Sequence, residues 1–427
     1  MKLALLLLAL TTVATHAAEV DLSKVTSRTE LDAVIATTTD ATMKKALTDN
    51  AAAILEAAAQ RPHVEAVIRA IETAPGSYEK VNTTPEPLKA ATGGEIALFD
   101  TLKAVNTSIQ GGKAHVYRDT KDDPYDVAFM EHLGNIPALE TVKIVATKIE
   151  DSFLPPLLKL KNLKSLSMEG TARGLPGSPA LGDPSLVRLK ELEKLPGLTF
   201  VELAYFGKAT DAGLEQLAGL KNLEGFTFRG SPVPGHAFAK FEGWTNLKRI
   251  RFHSNRLDDE GLGYVCDRFP NLESLNLIHS QAITDASAGH LLKLPKLNSL
   301  SLNGPKITAA VLKNLPRLPL EFVMLDQGAL NPSAEAIATL KSIPTLRRLS
   351  LGGKTLTDGD LASLAQVTQL VEISFENLDL PDPRLPQLQA FSHLKSLTLA
   401  LRPKGYPPET QAKVKALLPK LDVKFVQ

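Results

Sequence analysis

The chain has 427 residues, of which 44% are hydrophobic and 5% aromatic, enough for two or three average domains or for one repeat array with an appendage. Its 48 Lys and Arg against 47 Asp and Glu leave a net charge of +1. That balance excludes a general electrostatic pull toward nucleic acid or anionic membrane, so a charged partner must be met by a local patch.

Met1-Lys2, an apolar run from Leu3 to Leu10 and the small residues ending at Ala17-Ala18 have the layout of a secretory signal peptide, too short to span a bilayer. Residues 1–18 are therefore expected to direct export, to a periplasmic or secreted location. No later apolar stretch approaches the ~20 residues of a membrane helix, so no integral membrane segment is expected. The one cysteine, Cys266, excludes an intramolecular disulfide and reads as core packing rather than a reactive thiol.

Residues 19–124 are rich in Ala and Thr, with helical patterning at 47–59 and 63–73 and a capping box at Ser27-Arg28-Thr29-Glu30. Pro75-Gly76 and Pro85-Glu86-Pro87 divide the stretch. A small helical cap over the open end of a repeat array is the expectation.

From residue 125 to 427 a pattern Leu-x-x-apolar-x-apolar recurs, starting at Leu139, Leu163, Leu198, Leu223, Leu247, Leu272, Leu297, Leu320, Leu346, Leu370 and Leu394. Val423 and Phe425 form a truncated twelfth unit. Successive intervals are 24, 35, 25, 24, 25, 25, 23, 26, 24 and 24 residues. Within each unit, alternation predicts a short strand with its apolar side chains inward. The apolar residues three or four apart upstream predict a helix behind it, capped at Thr210-Asp211, Thr284-Asp285 and Thr357-Asp358. A small polar residue eight positions after the leucine (Thr147, Thr171, Ser231, Asn255, Ser280) can satisfy turn backbone, while Pro305, Lys354 and Leu378 predict less regular later turns. The one long interval marks an insertion of about ten residues near 171–190, whose Gly and Pro content reads as a loop and a possible binding device.

The stretches 209–223 (ATDAGLEQLAGLKNL), 282–297 (AITDASAGHLLKLPKL) and 356–364 (LTDGDLASL) resemble leucine-rich repeats of the ribonuclease-inhibitor-like and cysteine-containing classes, in a short bacterial exported form. The resemblance covers roughly residues 125–427 and lacks the repeated cysteines and any F-box. It implies an α/β right-handed horseshoe solenoid, parallel strands on the concave face and helices on the convex one, and a habit of binding proteins.

No Gly-x-Ser-x-Gly, His-Glu-x-x-His, phosphate-binding loop or Cys-x-x-Cys occurs, and the nine histidines lack ligand spacing. No enzyme activity, cofactor or metal is expected. The outward strand positions supply the candidate site: Arg229, Arg249, Arg251 and His253, read as a compact cationic patch, with Glu202 and Glu169 as possible internal partners. Farther along, Phe322 and Met324 read either as an apolar anchor pair or as packed residues of an irregular unit. These positions predict noncovalent recognition of a protein or peptide, one that could carry an acidic segment. A cell-envelope or carbohydrate-binding structural role is the alternative.

Overall fold

A computed structural model describes residues 20–74, 76–108, 123–145, 151–170, 181–253, 255–325, 334–352 and 356–426. Residues 1–18, expected above to direct export, residues 171–180 of the insertion, Thr147, Thr171 and Lys354 lie outside them.

Among the described residues, fourteen strands form one sheet in strict sequence order. They are β1 (Ser77–Asn82), β2 (Asp100–Asn106), β3 (Thr141–Val145), β4 (Ser165–Glu169), β5 (Phe200–Ala204), β6 (Gly225–Arg229) and β7 (Arg249–Arg251). Then follow β8 (Ser274–Leu277), β9 (Ser299–Leu302), β10 (Phe322–Leu325), β11 (Arg348–Gly352), β12 (Glu372–Glu376), β13 (Ser396–Ala400) and β14 (Asp422–Val426). From β2 onward every neighbouring pair is parallel and joined by a crossover of one repeat, whereas β1 runs antiparallel to β2. The chain is a leucine-rich-repeat α/β solenoid.

Alternation along each strand explains the core. Leu166 and Met168, Val201 and Leu203, Leu275 and Leu277, Leu300 and Leu302 are all fully buried, on the side covered by the crossovers, while the residues between them face the other way. The crossovers are short α-helices such as Asp259–Arg268 and Asp358–Ala365 in some units and 3-10 turns in others. Pro316 lies within the 3-10 segment Ala309–Arg317 and Pro386 within Asp382–Phe391; proline removes an amide donor, and a unit this short favours the tighter winding.

The stack is also tied along the starts of these crossovers. Thr210, Thr284 and Thr357 cap their helices as expected. The aspartate after the cap, in turn, reaches one repeat forward. Asp183 accepts from Thr210 N at 2.7 Å and Thr210 Oγ1 at 2.6 Å. Asp259 does the same to Thr284 at 2.8 and 2.5 Å, and Asp285 to Thr308 at 2.8 and 2.5 Å. Asp211 accepts from Ala237 N, and Asp358 receives Arg384 Nε. In the turns after the strands, Ser231, Asn255 and Ser280 are buried, Asn255 taking Ser231 N and donating to Phe228 O. Where Leu378 replaces a polar residue, Tyr406 Oη from the next unit donates to its carbonyl.

Two expectations change. Residues 19–124 hold helices α1 (Arg28–Thr37), α2 (Ala41–Asp49), α3 (Ala51–Thr73) and α4 (Glu86–Thr92), but also strands β1 and β2. The sheet thus begins at residue 77 rather than 125. A register irregularity between Glu79 and Lys80 breaks the pairing of β1 with β2, and the Leu-x-x-apolar-x-apolar signature is absent there. Second, residues 171–180 of the expected loop lie outside the described residues, while Asp183–Leu189, within the 171–190 bounds, is a helix in the crossover position, with Pro184 in its first turn, where a missing amide hydrogen costs nothing.

The two predicted helical patches around 47–73 resolve into the end of α2 and the single 23-residue helix α3, which runs through Pro62. Its first half, with Ile54 and Ala58, packs into a separate cap core with Leu31, Leu47 and Phe99. Its second half, with Val64, Val67 and Ile71, joins the continuous repeat core that extends to Leu418. One helix therefore belongs to both cores and seals the N-terminal end of the stack.

At that joint, His63 of α3 meets His132 of helix α5 (Val127–Gly134), Nδ1 to Nδ1 at 2.9 Å. Burial, then the charge of His132, then that of Lys159 hold the His63 pKa below its ordinary value. The unfolded chain therefore takes up the proton first, and the cap is destabilised as pH falls below about 6.5. Thermal melts from pH about 7 to about 5 should show a fall in stability that His63→Gln reduces; an unchanged slope in the variant contradicts the assignment. Independently, Asp285→Ala removes both bonds to Thr308 and is expected to lower unfolding stability by about 1 kcal/mol, read by urea denaturation.

Candidate concave binding surface

The strand register places the outward residues in ladders across the sheet. One ladder runs Ser165, Phe200, Gly225, Arg249, Ser274, Ser299, Phe322, Arg348, Glu372 and Ser396. The next, two residues on, runs Ser167, Glu202, Thr227, Arg251, Asn276, Ser301, Met324, Ser350, Ser374 and Thr398. Most of these side chains are small and polar, and charge is confined to a few strands.

The structure divides the four basic residues singled out from the sequence. Arg229 donates through Nη2 to Glu169 at 2.6 Å and through Nε to Glu202 at 3.1 Å, and its guanidinium lies over the Tyr205 ring at 4.9 Å from the centroid. Ser167 Oγ donates to the second Glu202 oxygen at 2.9 Å. Burial alone pushes the Glu202 carboxyl up, but Ser167 and Arg229 outweigh it and its pKa is lowered. For Arg229, burial works against the charge and is outweighed by Glu169 and Glu202. This group is a brace across three strands, in which two carboxylates more than balance the Arg229 charge. The single patch of free cations expected from the sequence is narrowed accordingly.

Arg249 and Arg251 remain. Both are exposed, flanking buried Ile250, and among the described residues neither has an ion pair or a side-chain hydrogen bond. Their ladder neighbours are Gly225 and Ser274, and Thr227 and Asn276, none long enough to shield them. His253 continues the same face, its ring 4.9 Å from that of His279.

No protein-family model matches the chain, and no curated protein sequence matches it. Among solved structures, it is similar to an internalin from Listeria monocytogenes, at 17% identity and TM-score 0.37 over 69% of each chain. It is also similar to the yeast Rad7 and Elc1 complex, at 16% identity and TM-score 0.48 over 70% of this chain and 77% of that one. Neither likeness assigns a partner or a residue role here.

Tyr205 and His279 were missed from the sequence. Both sit seven residues after a repeat leucine, where Gly170, Gly230 and Gly304 occur in other units. The backbone turns left-handed at several of these positions, with φ of 61° at Tyr205, 57° at His279, 57° at Asn377 and 66° at Gly230, but not at Gly170 or Gly304. A side chain larger than Gly at such a position costs roughly 1 kcal/mol, so an aromatic or imidazole in a glycine column is the signal that could have found them. The Tyr205 ring lies against Gly230, where an added Cβ would come within 2.4 Å of it.

Phe322 and Met324 are half-buried on the outward ladders, while Val323 and Leu325 between and beyond them fill the core. Arg348 stacks over Phe322 at 5.1 Å. Both thus lie on the outward side of β10, partly covered. Behind β6 and β7 the core holds a packed group of Phe226, Phe238, Phe241, Trp244, Phe252 and Phe269, so the arginine pair stands on a part of the stack filled by interlocking aromatic rings. Among the described residues no group of three metal-ligating side chains forms, and no helix is long and apolar enough to cross a membrane. Cys266 is 1% exposed and burial pushes its thiol up to about 12.

If Arg229 is a brace, Arg229→Gln leaves Glu169 and Glu202 confined without their cation and is expected to cost on the order of 3 kcal/mol of unfolding stability. Arg249→Gln, which removes an exposed charge, should stay within about 0.5 kcal/mol. Equal losses in the two variants, by chemical denaturation, would refute the division.

Proposed function

We propose that this chain is an exported, non-enzymatic recognition protein that holds a protein or peptide partner on its concave wall, with an acidic part of that partner against Arg249 and Arg251. The observation that carries this reading is charge accounting on the wall. Arg229 is matched by Glu169 and Glu202 and Arg402 by Glu376, Arg348 lies over the Phe322 ring with Glu372 beside it on the next strand, and Arg249 and Arg251 stand exposed together on one strand without counter-ions among the described residues. Two guanidinium groups on one face can take a carboxylate in paired hydrogen bonds. A preformed wall loses little conformational entropy on binding.

The sugar-binding alternative calls for aromatic rings open to stacking, and here the single Trp244 and most phenylalanines are buried. It is not favoured. Export belongs to the proposal through the composition of residues 1–18, and a buried, unreactive Cys266 suits an oxidising compartment.

A photo-crosslinking residue at Asn276, on the wall, should give adducts in the native exported fraction that one at Lys293, in a crossover, does not. Arg249→Glu with Arg251→Glu should reduce the wall adduct at least about tenfold, equivalent to ~1.4 kcal/mol, at unchanged melting temperature. Adducts insensitive to the double variant would refute the proposal.

A further inference from the structure

Resting on that reading, we propose that the wall takes an extended peptide segment carrying an acidic side chain and a large apolar side chain four residues apart. The acid sits on Arg249 and Arg251, the apolar group on Phe322 and Met324.

Both anchors occupy the same two ladders. From Arg249 the first passes Ser274 and Ser299 to Phe322; from Arg251 the second passes Asn276 and Ser301 to Met324. Between a cationic end and an apolar end there are thus two strands of short hydroxyl and amide side chains. These leave a shallow floor and can exchange hydrogen bonds with a peptide backbone. No carboxylate stands on either ladder between β7 and β10, so the floor itself carries no negative charge. Arg348, stacked on Phe322, fixes the ring at the far end.

The spacing follows from geometry. Strands lie about 4.8 Å apart, so three intervals from β7 to β10 span about 14 Å. An extended chain advances roughly 3.4 Å per residue, or about four residues over that distance. Side chains of an extended peptide alternate faces, so positions an even number apart point the same way. A separation of four sends both anchors into the wall; three or five would turn one of them to solvent.

The test is selection of a random twelve-residue peptide library, displayed on phage, against the full chain. Enrichment of Asp or Glu four positions from Leu, Phe, Met or Ile is expected. A synthetic consensus peptide should bind about tenfold more tightly than one with the separation changed to five. Selection on Arg249→Glu/Arg251→Glu should lose the acidic preference. Selection on Phe322→Ser/Met324→Ser should lose the apolar one and keep the acidic one, with the melting temperatures of both double variants checked against the parent. Acidic residues enriched at no fixed distance from an apolar one would overturn the two-anchor arrangement while leaving the arginine pair as the recognition point. Enrichment unaffected by Arg249→Glu/Arg251→Glu, or no enrichment at all, would overturn both.

Discussion

The structure depends on one constraint: no repeat can bury its own apolar face. Each unit offers two or three inward side chains on a strand and two or three on a crossover, and every one becomes inaccessible only when the neighbouring unit is stacked on it. Burial of a leucine contributes roughly 2 kcal/mol, far less than the ordering of some 25 residues costs, so stability resides in the interfaces between units. The single core running from Val64 to Leu418 is the result. The aspartate reaching one repeat forward from Asp183, Asp259 and Asp285 adds a polar seam beside the apolar one.

That constraint also fixes which side chains line the wall. With the inward residues locked, period-two alternation leaves no freedom in which side chains face the wall, and the parallel register lines them up unit by unit. Function is then a matter of composition along the ladders. Most rungs are serine, threonine or asparagine, and one acidic pair is absorbed by Arg229. The exposed arginines of β7, backed by the aromatic group of the core, and the apolar pair of β10 stand apart from that background.

Much of this could be read from the residues because the repeat period and the strand alternation are local properties of the sequence. The eleven leucine starts, the threonine caps, the buried Cys266 and the outward placement of Arg249, Arg251, Phe322 and Met324 all follow from spacing. What could not be read depends on contacts between units. Asp285 looks like an ordinary first-turn acid until Thr308, 23 residues on, is placed beside it. Glu169 and Glu202 could be read as partners of the patch, but not that Arg229 alone takes both, Glu169 lying 60 residues earlier and two strands away, and leaves Arg251 without them. Strands β1 and β2 were hidden because a register irregularity removes the alternating signature. The helix Asp183–Leu189 was hidden because its glycine and proline sit at the cap and the first turn, where they start a helix rather than break one.

The central claim is that the wall exists, fully formed, before any partner arrives. Hydrogen exchange of the strand amides in the free protein tests it most directly. The account predicts slow exchange across β4 to β12, strongest around the aromatic group behind β6 and β7 and declining smoothly toward β14, with no step between adjacent repeats. Rapid, independent exchange of β7 through β10 would show a surface that orders only on binding, and would contradict it.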